Sequence, residues 1–193
     1  MANNDYPRGL VPYGEVLRAN IYSLVTSVAA AVYHGDMMET THASLVSKYG
    51  NYTVVEAEAT GDDYTIVGGC LAIFDHNFDP VAYIAASETG DGVTAGYVLV
   101  ADHPDQLYVA NEDGDGGVCG IADAGQCADM VDGGGNTSTG RSGMEIDSST
   151  VAATATLALQ LMNPCFGEDP TAANCDWICK INAHFTRVGI AGV

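Results

Sequence analysis

The chain of 193 residues carries 25 acidic against six basic side chains, a formal net charge of −19, with 47% hydrophobic and 16% charged residues. That length suits one domain, or one domain with an arm, and excludes a multidomain machine. The charge argues against nucleic acid, because counterion release needs clustered cations, and the apolar content excludes a disordered chain.

The opening MANNDYPRGLVPYGEVLRAN has neither a basic n-region nor an apolar h-region, so no secretion signal is expected. It lacks a clear period and reads as an extended N-terminal arm over residues 1–20, followed by a β-rich domain over 21–193. The longest apolar stretches, residues 21–32 and 151–162, fall short of the roughly 20 residues a membrane helix needs, and no membrane partner is expected.

From residue 21 the texture is that of strands. The runs 21–25 (IYSLV), 44–46 (SLV) and 52–55 (YTVV) are β-branched or aromatic and separated by turn residues. Residues 64–74 and 81–85 predict a hairpin across the turn DHNFDP, whose Asp, Asn and Pro favour local side-chain bonds and a fixed φ. Residues 96–101 and 106–110 predict two more strands flanking Asp102-His103-Pro104-Asp105. In that link Asp102 is expected to accept backbone N–H bonds and Pro104 to fix φ.

Residues 118–131 predict one short helix, weakened by Gly120 and Gly125. The stretch 132–142, DGGGNTSTGRS, reads as a flexible loop, and residues 157–162 and 177–182 as two closing strands. The expected fold is mainly β: a single β-sandwich or barrel-like domain with one short helix and an extended N-terminal arm.

No catalytic constellation stands out, and no enzyme activity or cofactor is expected. The loop Asn111-Glu112-Asp113-Gly114-Asp115-Gly116 approaches a calcium-loop start, yet position 1 is Asn111 and position 12 is Ala122 where a bidentate Glu belongs. Asp75, Asn77 and Asp79 form a weaker trio, with Pro80 where glycine is needed. Cys119/Cys127 and Cys175/Cys179 are spaced unlike paired zinc ligands, so no metal is expected. The five histidines are scattered, and neither a nucleophile elbow nor a phosphate loop occurs.

Six cysteines suit disulfides in a secreted chain and free thiols in a cytosolic one. If residues 157–162 and 177–182 are antiparallel neighbours, Cys165 and Cys175 bracket the loop between them and are expected to form a disulfide once the protein leaves the reducing cytosol. A bridge needs a Cα separation of roughly 5.5–6 Å. The alternative is six buried thiols serving as small apolar residues.

Three segments carry a resemblance: Val100-Ala101-Asp102-His103-Pro104-Asp105-Gln106-Leu107-Tyr108, Thr137-Ser138-Thr139-Gly140-Arg141-Ser142-Gly143-Met144-Glu145-Ile146-Asp147 and Lys180-Ile181-Asn182-Ala183-His184. Together with the short Met-Ala-Asn opening they resemble a family of tailed-phage virion proteins, the capsid decoration or cement proteins. The similarity spans just under half of the chain. The cysteines and residues 166–174 depart from the family pattern.

This resemblance implies a structural protein on the outer capsid surface of a virion, assembled in the host cytoplasm. Its implied partners are the major capsid protein and further copies of itself in a dimer or trimer. The motif residues are then Asp102, Pro104, Asp105, Gly140, Ser142, Gly143 and Asp147. Shell contacts are expected from the arm: Tyr6, Pro7, Arg8, Leu10, Val11, Pro12, Tyr13 and Arg18. The rival reading is a carbohydrate- or receptor-binding β-sandwich displayed on the particle, which an exposed aromatic platform would mark.

Overall fold

A computed structural model describes residues 3–47, 49–58, 65–115, 117–187 and 192. The first layer is a closed ring of five strands. Strand β4 (Met37–Ser47) turns back into β5 (Gly50–Ala57), which runs parallel to β2 (Ala19–Leu24). Antiparallel pairings then link β2 to β9 (Gly96–Ala101), β9 to β6 (Ile66–Asp75), and β6 back to β4. Closure leaves the ring without a free edge, which protects long apolar strands from pairing with other chains.

The expected hairpin is present: β6 turns into β7 (Pro80–Val81) with Ile73 opposite Val81. Asp75 Oδ1 fixes the turn by accepting from the backbone N–H groups of Asn77 and Asp79 at 2.7 and 2.9 Å. Next to it β3 (Val32–Tyr33) pairs with β8 (Tyr83–Ile84).

The second layer is an antiparallel sheet. Its order is β1 (Val11–Pro12), β10 (Leu107–Asn111), β15 (Asp176–Ile181), β14 (Leu159–Pro164) and β11 (Cys127–Ala128). The closing strands therefore pair as expected, displaced by two residues at the start of β14. The strands on either side of residues 102–106, however, belong to different layers: β9 sits in the ring and β10 in the sheet.

Alternation along the ring strands builds two cores at once. Met37, Ile66 and Ala101 face a cluster with Tyr108, Leu159 and Trp177 of the sheet. Their chain neighbours Met38, Val67 and Val100 face the ring interior with Leu24 and Ile73. This is the period of two that sends successive side chains to opposite faces. Gly69 allows the layers to close, since a Cβ there would lie 3.0 Å from Leu10 and 3.1 Å from the Tyr108 ring.

Two expectations are corrected. The helix over 118–131 reduces to a three-residue 3-10 turn, Ile121–Asp123, followed by the short strand β11, because the flanking glycines cost too much for further helical turns. The supposed flexible loop over 132–142 is a hairpin of β12 (Met130–Asn136) and β13 (Arg141–Ile146), with the reversal at 137–140. Its glycines serve close approach: a Cβ on Gly143 would lie 2.0 Å from the Gly134 carbonyl oxygen, and one on Gly135 would enter the Tyr33 ring at 2.2 Å.

Residues 3–18 do not form a separate tail. Asn3 Nδ2 donates to the Asp169 carbonyl at 2.9 Å, Leu10 N to Gly35 O at 2.7 Å, and Tyr13 N to Leu107 O at 2.8 Å. Residues 19 and 20 already belong to β2. The segment is extended as expected, but its backbone bonds go to its own domain.

Candidate functional site

The motif residues gather in two places. The first is the crossover between layers. Asp102 is buried, and its carboxylate accepts from Arg18 Nε at 2.8 Å, Asn20 Nδ2 at 2.7 Å and Tyr22 Oη at 2.6 Å. All three partners are side chains, which corrects the expectation of backbone N–H donors: β2 runs beside β9 and presents Asn20 and Tyr22 to the end of that strand. Burial opposes the charged form, yet these donors together hold the carboxyl below its ordinary range.

Pro104 stands second in a tight turn closed by Gln106 N to His103 O at 2.9 Å, the position its fixed φ suits. Asp105 pairs with Arg187 at 2.7 Å. His184 is wholly buried close by, and burial lowers its pKa to about 4.

The second place is the hairpin beneath the N-terminal segment. Gly140 has φ +70°, and a Cβ there would lie 2.4 Å from the Ala82 carbonyl oxygen. Ser142 hydrogen-bonds Asp36, which also accepts from Tyr33 N at 2.7 Å. Burial pushes Asp36 up to about 7, against the pull of these two bonds. Asp147 caps the 3-10 turn Ser148–Thr150 by accepting from Ser149 N at 2.9 Å.

His34 lies near Ser142, but its Nδ1 faces the Leu71 carbonyl at 3.1 Å, and the two residues meet through the bond from Ser142 N to His34 O. With its hydroxyl directed to Asp36, Ser142 is held as a structural clamp. Asp36 escaped sequence reading. The signal available was an acid placed directly before the apolar pair Met37-Met38.

The acidic loop is occupied by its own chain. Asn111 Oδ1 accepts from Tyr6 N at 3.2 Å, Glu112 accepts from Cys119 N at 2.6 Å and Asn174 N at 3.1 Å, and Asp113 accepts from the Ser148 hydroxyl at 2.7 Å. Gly116 lies outside the described residues. Among the described residues no group of three His, Cys, Asp or Glu side chains could hold a metal ion, and no helix is long and apolar enough to cross a membrane.

All six cysteines are free thiols in this structure, and the expected Cys165–Cys175 bridge is not formed in it. Cys165 N donates to Asp176 O at 2.7 Å, so Cys165 stands opposite Asp176 at a half-exposed position. Cys175 is one residue out of register, with its side chain in the core beside Trp177.

The arm residues separate into anchors and exposed groups. Leu10 is 1% exposed and therefore unavailable to a partner, and Arg8 is ion-paired with Asp176. Pro7 and Pro12 are half-buried, while Tyr6, Val11, Tyr13 and Arg18 face solvent. Val16 and Leu17, passed over in the sequence, extend this exposed set. At the far end of the ring Phe74 and Phe78 stack at 4.9 Å, and Tyr49, Tyr52 and Phe78 pack around buried Tyr97. The rings of this group turn toward one another rather than forming a flat platform.

Comparison with protein-family models, with curated proteins and with solved structures finds no match to this chain.

Proposed function

We propose that this protein is a virion structural protein of the capsid decoration type, which binds the outer surface of a shell of major capsid protein and stabilises it as a dimer or trimer. The observation that carries the reading is a run of large apolar side chains left in solvent along the N-terminal segment: Val11 at 40%, Tyr13 at 50%, Val16 at 44% and Leu17 at 54% exposure. Such a patch marks an interaction surface, and here it is braced on a packed body. The net charge of −19 suits a surface facing solvent or a basic partner. The motif resemblance supplies the shell as that partner.

Attachment is read by co-sedimentation with expanded capsids and by their melting temperature. A protein that binds the assembled shell in preference to free subunits raises that temperature by mass action. Exchanging both Tyr13 and Leu17 for Ser should weaken attachment while leaving the fold intact, since both side chains are exposed. Leu10→Ala should destabilise the protein itself by about 2–5 kcal/mol. Equal melting temperatures for decorated and bare capsids would overturn the proposal, as would full occupancy by the Tyr13/Leu17 double variant. Sedimentation of the free protein tests self-association, with a strict monomer at particle-like concentration counting against the oligomer.

A further inference from the structure

Of the four arginines, Arg8, Arg18 and Arg187 each pair with a carboxylate. Arg141 differs. It is exposed, and among the described residues its guanidinium has no carboxylate partner. It donates to the Tyr6 hydroxyl and lies 5.4 Å from the centre of that ring, with the Arg8 guanidinium 5.6 Å from the same centre.

Two grooves meet at this pair. One, of about 480 Å³, includes Val11, Pro12, Leu71 and Val109 in its apolar wall. The other, of about 670 Å³, has the glycines of β12 along its floor with Asn136, Thr139 and Ser142. Both include Tyr6 and Arg141, so the cation stands where an apolar trough opens into a polar one.

We infer that this junction is a binding site for the free carboxylate of a peptide C-terminus, held by Arg141, with the last apolar side chains of that peptide lying in the trough between the N-terminal segment and Leu71. The argument is charge complementarity. In a chain with 25 acids, self-pairing is the easy fate of an arginine, yet the Arg141 side chain donates instead to the Tyr6 hydroxyl. A guanidinium presents a planar fork of donors that matches a carboxylate in two parallel bonds, and the Tyr6 hydroxyl takes one of the Arg141 donors. The adjoining trough supplies apolar area, which gives affinity to a ligand whose anionic group alone would stay hydrated. The site goes beyond the attachment reading: it shares Val11 with that exposed patch, whereas Tyr13 and Leu17 lie outside both grooves, so separate variants test the two.

The test is an NMR titration of the full chain with N-acetyl-leucyl-leucine, its C-terminal amide, and inorganic phosphate. The free acid should give saturable shifts at the Arg141 side chain and at the Leu71 and Val109 amides. The amide should bind at least about tenfold more weakly, a difference of about 1.4 kcal/mol. Arg141→Gln should erase the preference for the acid. Arg141→Lys should retain part of it, because the charge survives and the planar fork does not. Unchanged thermal melting of both variants would show that the fold is kept.

Equal binding of acid and amide would overturn the inference, and so would the absence of saturable shifts at millimolar peptide. Phosphate alone matching the free acid would also overturn it, because the trough would then contribute nothing. None of these outcomes bears on capsid attachment, which the Tyr13/Leu17 variant reads separately.

Discussion

Arg18, the last residue before β2, reaches the carboxylate of Asp102 at the end of β9, with Nε 2.8 Å from Oδ1. The pair is lopsided: the Asp102 side chain is 2% exposed and that of Arg18 45%. The acid is the centre of a buried network, whereas the arginine is a half-solvated donor to it.

That asymmetry sets the first prediction. Asp102→Ala should cost about 3 kcal/mol, because Tyr22 Oη and Asn20 Nδ2 lose their acceptor and the hydroxyl is left in the core. Arg18→Ala should cost about 1 kcal/mol or less, as for ion pairs open to solvent. Urea denaturation of the two variants measures the difference, and equal losses would contradict the network.

The pH dependence follows from the buried groups. Asp36 titrates at about 7 because burial raises it, and Glu145 at about 7 because burial and the neighbouring acids Asp5, Asp113 and Asp115 do so. Unfolded carboxyls titrate near about 4. Between these values the folded chain holds more protons than the unfolded one, so the two groups make stability fall as pH rises. His184 acts in the opposite sense. Its folded pKa of about 4 lies below an unfolded value of about 6.5, so its contribution grows with pH across that window. Asp36→Asn should therefore gain stability relative to the parent chain at about pH 8, with the gain shrinking toward about pH 4. Denaturation midpoints across that range check it, and parallel curves would refute the buried-acid account.

The hairpin glycines differ in what they permit. Gly134 has φ +76° with open space around its missing Cβ, whereas a Cβ on Gly143 would strike the Gly134 carbonyl oxygen at 2.0 Å. Gly134→Ala should cost about 1–2 kcal/mol for the left-handed backbone alone. Gly143→Ala should cost more, about 3 kcal/mol, because the two strands must part. Calorimetric melting of the two variants ranks them, and the reverse order would show that the strands are not held this close.

The thiols give a direct count. Cys165 alone among the six is half-exposed, and burial followed by the charge of Asp176 raises its pKa. A thiol reagent at neutral pH should label Cys165 slowly in the folded protein and reach the other five only on unfolding. Non-reducing peptide mapping that finds Cys165 joined to Cys175 would contradict the observed register.

The local pattern of side chains determined a great deal. Short β-branched and aromatic runs announced most of the strands, and Asp75 and its neighbours announced the β6–β7 turn. What no local pattern contained was partnership. The strands before and after Asp102 read as two runs joined by a turn, yet they belong to different layers, because pairing is decided by which apolar faces meet across the whole chain. The same holds for residues 3–18, aperiodic in sequence, whose backbone bonds go to partners such as Gly35 and Leu107 and whose Asn3 side chain reaches Asp169, all far along the chain. Glycine triplets are poor strand formers by propensity, so Gly133, Gly134 and Gly135 read as loop. Only the close approach of β13 and of the Tyr33 ring turned the missing side chains into the reason those strands can pack.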